Sequence, residues 1–97
     1  MSEMLAVIKD LGTRKDEVRD YIDLMVLWYR DVLLFKATKD INQLFFQDEA
    51  SYISREASHR SYEKIEEILQ AFEKAKVRLR ANVNFDITME LMLLALK

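Results

Sequence analysis

Residues 13–37 read TRKDEVRDYIDLMVLWYRDVLLFKA, with no glycine or proline to interrupt them. At about 100° per residue, Val18, Tyr21, Ile22, Met25, Trp28, Tyr29 and Val32 fall in one broad arc. Asp16, Asp20, Asp23, Arg30 and Asp31 take the opposite face. This is a long amphipathic helix, capped by Thr13, with Asp16 and Glu17 in a first turn where the helix dipole favours anions. Leu27 and Leu34 interrupt the polar face; seven residues apart, they stack on one side. Scattered surface leucines are common, and a contact patch is the sharper alternative. Arg30 and Asp31 beside them are rim contacts or plainly solvated.

Upstream, Met4, Leu5, Ile8 and Leu11 give a short helix from about Ser2 to Leu11, closed by Gly12 as its C-cap. Downstream, Lys39 to Gln47 is a connection, with Leu44, Phe45 and Phe46 expected to tuck onto the core. A helix capped by Asp48 runs to about Ser58; its thin apolar content (Ala50, Ile53, Ala57) predicts the least stable element. Ser61 caps another, to about Ala81, with a stripe of Ile65, Ile68, Leu69, Phe72 and Leu79. Its acids Glu63, Glu66 and Glu67 lie near the start, and Lys74, Lys76, Arg78 and Arg80 near the end, which complements the dipole. After a turn at Asn82–Asp86 the last helix begins near Ile87. It is apolar on two faces: Ile87, Leu91 and Leu94 on one, Met89, Met92, Leu93 and Leu96 on the other. Such a helix must be covered on both sides, as a central core helix or by sharing with a neighbour. The expectation is an all-α, compact bundle of about five helices, one domain over residues 1–97.

Composition narrows the function. A hydrophobic content of 51% places the chain among ordered globular domains. One glycine and no proline favour few, long helices. With no cysteine there is no disulfide framework, thiolate nucleophile or cysteine zinc site, which fits an intracellular compartment. A net charge of −2 is a poor footprint for phosphate backbones, so the basic cluster near Lys74 reads as a helix-end preference. The longest apolar run, Leu91 to Leu96, rises only about 9 Å against a hydrocarbon layer of about 30 Å. No segment spans a membrane, and the N-terminus lacks a signal pattern.

Few residues suggest chemistry. Glu56 and His59 have the Glu-x-x-His spacing of di-iron bundles. Such a site needs a second copy and two more inward glutamates, and His59 is the sole histidine. A solvated histidine is the ordinary reading. Ser58, His59 and Ser61 are adjacent in sequence, which does not make a triad without an oxyanion-stabilising loop. A lone glycine excludes a Walker loop or dinucleotide fingerprint. Glu63, Glu66 and Glu67 read as a charged solvent face. No catalytic, cofactor or metal residue is expected.

Two stretches carry a family resemblance. One is Trp28-Tyr29-Arg30-Asp31-Val32-Leu33-Leu34-Phe35-Lys36-Ala37. The other is Leu79-Arg80-Ala81-Asn82-Val83-Asn84, followed after Phe85-Asp86 by Ile87-Thr88-Met89-Glu90-Leu91-Met92-Leu93-Leu94. In this order and separation they resemble the C-terminal domain of the delta-prime subunit of bacterial DNA polymerase III, over most of the chain and weakest before Thr13. The resemblance implies a helical collar domain of the clamp loader, where five such domains from delta, delta-prime and gamma/tau form a ring. That ring supports delivery of the sliding clamp to primed DNA in the cytoplasm. The family's ATPase-like modules lie N-terminal to this domain, so the chain resembles an excised domain. The matched stretches are packing and capping motifs and carry over no catalytic residue.

The implied role is non-catalytic assembly with the gamma/tau and delta subunits, without cofactor, direct nucleic-acid contact or membrane. The equivalent collar domain of gamma/tau is the nearest alternative, and a free-standing helical homo-oligomer with a ligand or metal site the alternative of another class. A ring of unlike subunits needs two different patches per domain. The expected interface residues are Leu27, Arg30, Asp31 and Leu34 on one patch, and Met89, Met92, Leu93 and Leu96 on the other.

Overall fold

A computed structural model describes residues 15–97. They form four α-helices: α1 (Lys15–Thr38), α2 (Ala50–His59), α3 (Tyr62–Arg80) and α4 (Phe85–Ala95). Two short 3-10 turns, Ile41–Gln43 and Gln47–Glu49, lie between α1 and α2, and no strand occurs among the described residues. The fold is all-α, as the sequence requires. The expected helix at Ser2–Leu11, its Gly12 cap and the Thr13 cap lie outside the described residues.

Helices α1 and α3 form the centre of the bundle: α1 packs against α2 and α3, and α4 packs against α3. The arc read from the α1 sequence turns inward: Val18, Ile22, Met25, Trp28, Tyr29 and Val32 are buried in the core, and Tyr21 is half-buried against it. Ile53 and Ala57 of α2 and Ile65, Ile68, Phe72, Ala75 and Leu79 of α3 complete its facing walls. The Tyr29 ring lies 5.3 Å from that of Trp28, edge-on, and 5.8 Å from that of Phe72. Aromatic pairs at such separations add modestly to the burial of their area.

The helix ends follow from their residues. Thr38 Oγ1 donates to the Leu34 carbonyl, and Lys39, in the left-handed region at φ 57°, donates its N–H to the Phe35 carbonyl. Ser61 caps α3, its hydroxyl accepting the Lys64 N–H at 3.1 Å. At the other end Asn82 sits at φ 57°, its N–H bonded to the Leu79 carbonyl, while the Val83 N–H reaches the Arg78 carbonyl. That pair of bonds is a Schellman closure. Two residues on, the Asn84 side chain accepts the Ile87 N–H at 3.0 Å and starts α4. The Asn82-Val83-Asn84 stretch therefore ends one helix and begins the next within three positions.

Three local expectations are corrected. Helix α2 begins at Ala50, after a 3-10 turn that holds Asp48, so Asp48 is not its cap. Helix α4 begins at Phe85 rather than near Ile87, because Asn84 supplies the cap. Of the three residues expected to tuck inward, Leu44 is buried and Phe46 half-buried, but Phe45 is exposed.

Candidate subunit interface

On α1, Leu27 is 39% exposed and Arg30 is exposed. Leu34 is half-buried and packs against the core. Asp31 lies between Leu27 and Leu34 on this face, one turn from each, yet it is 5% exposed. Its two carboxylate oxygens accept the backbone N–H of Phe45 at 3.1 Å and of Phe46 at 2.7 Å. The expectation of Asp31 as a rim or solvated residue is thereby corrected. An irregular segment cannot satisfy its N–H groups in a helix ladder, and a buried carboxylate does so instead.

The second expected patch is also corrected. Met89, Met92 and Leu96 are buried in the common core, and Leu93 is half-buried against it. Met89, Met92 and Leu96 are thus covered by this chain and form no spare surface, while Leu93 keeps a partly exposed side chain. Thr88 is buried beside them, its hydroxyl donating to the Asn84 carbonyl at 2.9 Å. The opposite face of α4 is the one left outside: Ile87 is 53% exposed, Leu91 43% and Leu94 56%. Spaced four and three apart, they form one ridge along the helix, with Asp86 and Glu90 exposed around it.

Arg30 and Lys74 flank a shallow groove of about 320 Å³ between α1 and α3, whose remaining lining is Val26, Leu69, Gln70 and Glu73. Lys76, next along α3, pairs with Asp23 of α1 at 2.5 Å and lies 4.0 Å from Glu73. Part of the basic cluster thus ties two helices together.

Glu56 serves the fold as well. Its Oε2 accepts the Tyr29 hydroxyl at 2.9 Å and Arg60 Nε at 2.8 Å, while His59 is exposed. Burial, and then the neighbouring Glu56 charge, push the Tyr29 hydroxyl well above the usual tyrosine range. This is a structural acid–tyrosine–arginine network holding a closed helix junction. Every buried side-chain nitrogen or oxygen among the described residues has a partner. Among those residues no helix is long and apolar enough to cross a membrane.

A core closed by its own polar groups, with apolar residues left outside on α4 and beside α1, defines an all-helical packing domain. The chain belongs to the family described as DNA polymerase III, delta subunit, C terminal, whose model matches residues 2–97. It is therefore a domain of the DNA polymerase III clamp-loader subunit class. Searches of the curated proteins and of the solved structures return no match.

Proposed function

We propose that this domain is the non-catalytic collar domain of a delta-prime-type subunit, joining gamma/tau and delta subunits in the clamp-loader ring. The observation that carries the reading is the placing of exposed apolar side chains on two unlike elements. One set is Ile87, Leu91 and Leu94 on α4; the other is Leu27 with Phe45 beside α1. Head-to-tail rings of unlike subunits need two different contact surfaces on each member, because their contacts are heterologous. A self-complementary pair would need only one. Arg30 remains a proposed rim residue, and Leu27 and Leu34 proposed apolar contacts, of the α1 surface. The delta-prime assignment within the family is supported by the two resembling stretches, Trp28–Ala37 and Leu79–Leu94.

Competition tests it. The chain is mixed with purified gamma/tau and delta subunits and passed over a sizing column. Co-elution, lost on adding excess delta-prime but not excess delta, is the expected result. Displacement by delta instead would reassign the chain to the delta position. Elution of the chain alone, or as a homo-oligomer, would remove the reading.

A further inference from the structure

Phe45 is 75% exposed, more than any other large hydrophobic side chain among the described residues. It is nevertheless held in one place. The buried Asp31 carboxylate clamps its N–H and the next one. Its ring leans edge-on against Phe46 at 5.0 Å, and Phe46 is packed into the core. The turn before it is closed by Asp40, which accepts the Asn42 N–H at 3.0 Å, and the Gln47 amide donates to the Asn42 carbonyl at 3.2 Å. An aromatic ring whose backbone is already fixed loses little freedom on association. Buried aromatic anchors of this kind dominate binding energy at protein interfaces.

The surroundings state what the partner must offer. A concavity of about 430 Å³ beside the ring is lined by Phe45, Phe46, Gln47, Asp48 and Glu49, two carboxylates and no cation. Asp40 adds a third acid at the start of the segment, and Lys39 reaches back over the Phe35 ring at 5.7 Å. Asp31 adds nothing to this rim, since both its oxygens are engaged beneath it.

We propose that Phe45 is a preformed docking anchor for an apolar pocket rimmed by lysine or arginine on a neighbouring clamp-loader subunit. The anchor fills the pocket, and the Asp48 and Glu49 carboxylates meet its basic rim. This rests on the clamp-loader reading above.

The test titrates the chain against purified gamma/tau and delta subunits, with wild type, Phe45→Ala and the double variant Asp48→Lys/Glu49→Lys. Circular dichroism checks that each variant is folded, since the Phe45 ring and Asp48 are exposed but Glu49 is half-buried at the start of α2. Phe45→Ala is expected to weaken binding to one of the two partners by about tenfold or more. The double variant is expected to weaken binding to the same partner, chiefly at low salt. Wild-type binding that Phe45→Ala leaves unchanged overturns the anchor and leaves the clamp-loader reading standing. Binding lost in Phe45→Ala but kept in the double variant overturns the basic rim. No wild-type binding to either subunit overturns both proposals. Self-association through Phe45 without subunit binding would make a second copy the occupant and overturns the neighbouring-subunit assignment.

Discussion

Arg60, just past the end of α2, holds the end of α4: its Nη2 donates to the Leu96 carbonyl at 2.7 Å while its Nε donates to Glu56 at 2.8 Å. The last carbonyls of a helix have no partner within it, and a guanidinium satisfies one of them here while neutralising Glu56. The two side chains are 19% and 21% exposed, so solvent screens the pair only in part. Arg60→Ala should cost about 1–3 kcal/mol, in the range of hydrogen bonds to charged groups. Urea denaturation reads the cost, and amide exchange should quicken in the last turn of α4 before it does in α3. An unchanged midpoint would show that water replaces the guanidinium without penalty.

The Tyr29 hydroxyl adds a pH dependence. Burial and the Glu56 charge disfavour its ionised form, so its folded pKa lies above the unfolded value of 10.0. The folded chain therefore holds this proton after the unfolded chain has begun to lose it. Stability from this group is full below the unfolded pKa and falls as pH rises above about 10. Tyr29→Phe should cost about 1 kcal/mol at neutral pH through loss of the Glu56 hydrogen bond. It should also flatten the alkaline decline relative to wild type. Urea midpoints measured against pH for the two chains give the comparison, and parallel curves above about pH 10 would dismiss the Tyr29 contribution.

Asn82 and Lys39 both lie at φ 57°. Left-handed backbone costs a residue with a Cβ roughly 1–2 kcal/mol, with asparagine among the more tolerant and glycine free of the penalty. Asn82→Ala should destabilise the chain by about 1 kcal/mol, and Asn82→Gly should be near neutral. Lys39→Gly should stabilise it slightly, since relief of the left-handed strain outweighs loss of the exposed Lys39–Phe35 ring contact, and glycine keeps the N–H bond to Phe35. Thermal melts of the three variants test the order Lys39→Gly, wild type, Asn82→Ala. An Asn82→Ala chain as stable as wild type would mean that the α3–α4 junction does not need its Schellman closure.

Much of this fold was legible because the long helices are amphipathic. The arc from Val18 to Val32 and the Ile65–Leu79 stripe follow from a period of 3.6, and the Ser61 cap from a serine placed just before that stripe. Helix α4 was not, since a helix apolar on both faces carries no signal for which one is buried. Its two faces were separable from spacing, but packing against α3 chose Met89, Met92 and Leu96 for the core and left Ile87, Leu91 and Leu94 outside. Asp31 and Phe45 were missed for another reason. Helix periodicity places Asp31 on the polar face, and only the path of the 41–49 segment, crossing above it, turns that face inward. The Asp31–Phe45 contact joins residues fourteen positions apart across an irregular segment, where no local pattern applies.

The two faces of α4 can be told apart by where each residue's loss is felt. Met92 is fully buried and Leu91, its neighbour in sequence, is 43% exposed. Met92→Ala leaves a cavity in the packed core and should cost about 2–5 kcal/mol. Leu91→Ala removes surface atoms and should change stability by no more than about 0.5 kcal/mol. Association should show the reverse order. Leu91→Ala combined with Ile87→Ala should weaken co-elution with clamp-loader subunits, at concentrations where the variant is fully folded. Met92→Ala should leave association unchanged wherever the chain remains folded, because its side chain is fully buried within this chain. Urea midpoints and sizing profiles on the same samples separate the two effects. Loss of stability in the Leu91/Ile87 variant equal to that in Met92→Ala would place this ridge inside the folding core. Normal association by the folded Leu91/Ile87 variant would leave the ridge without a part in assembly.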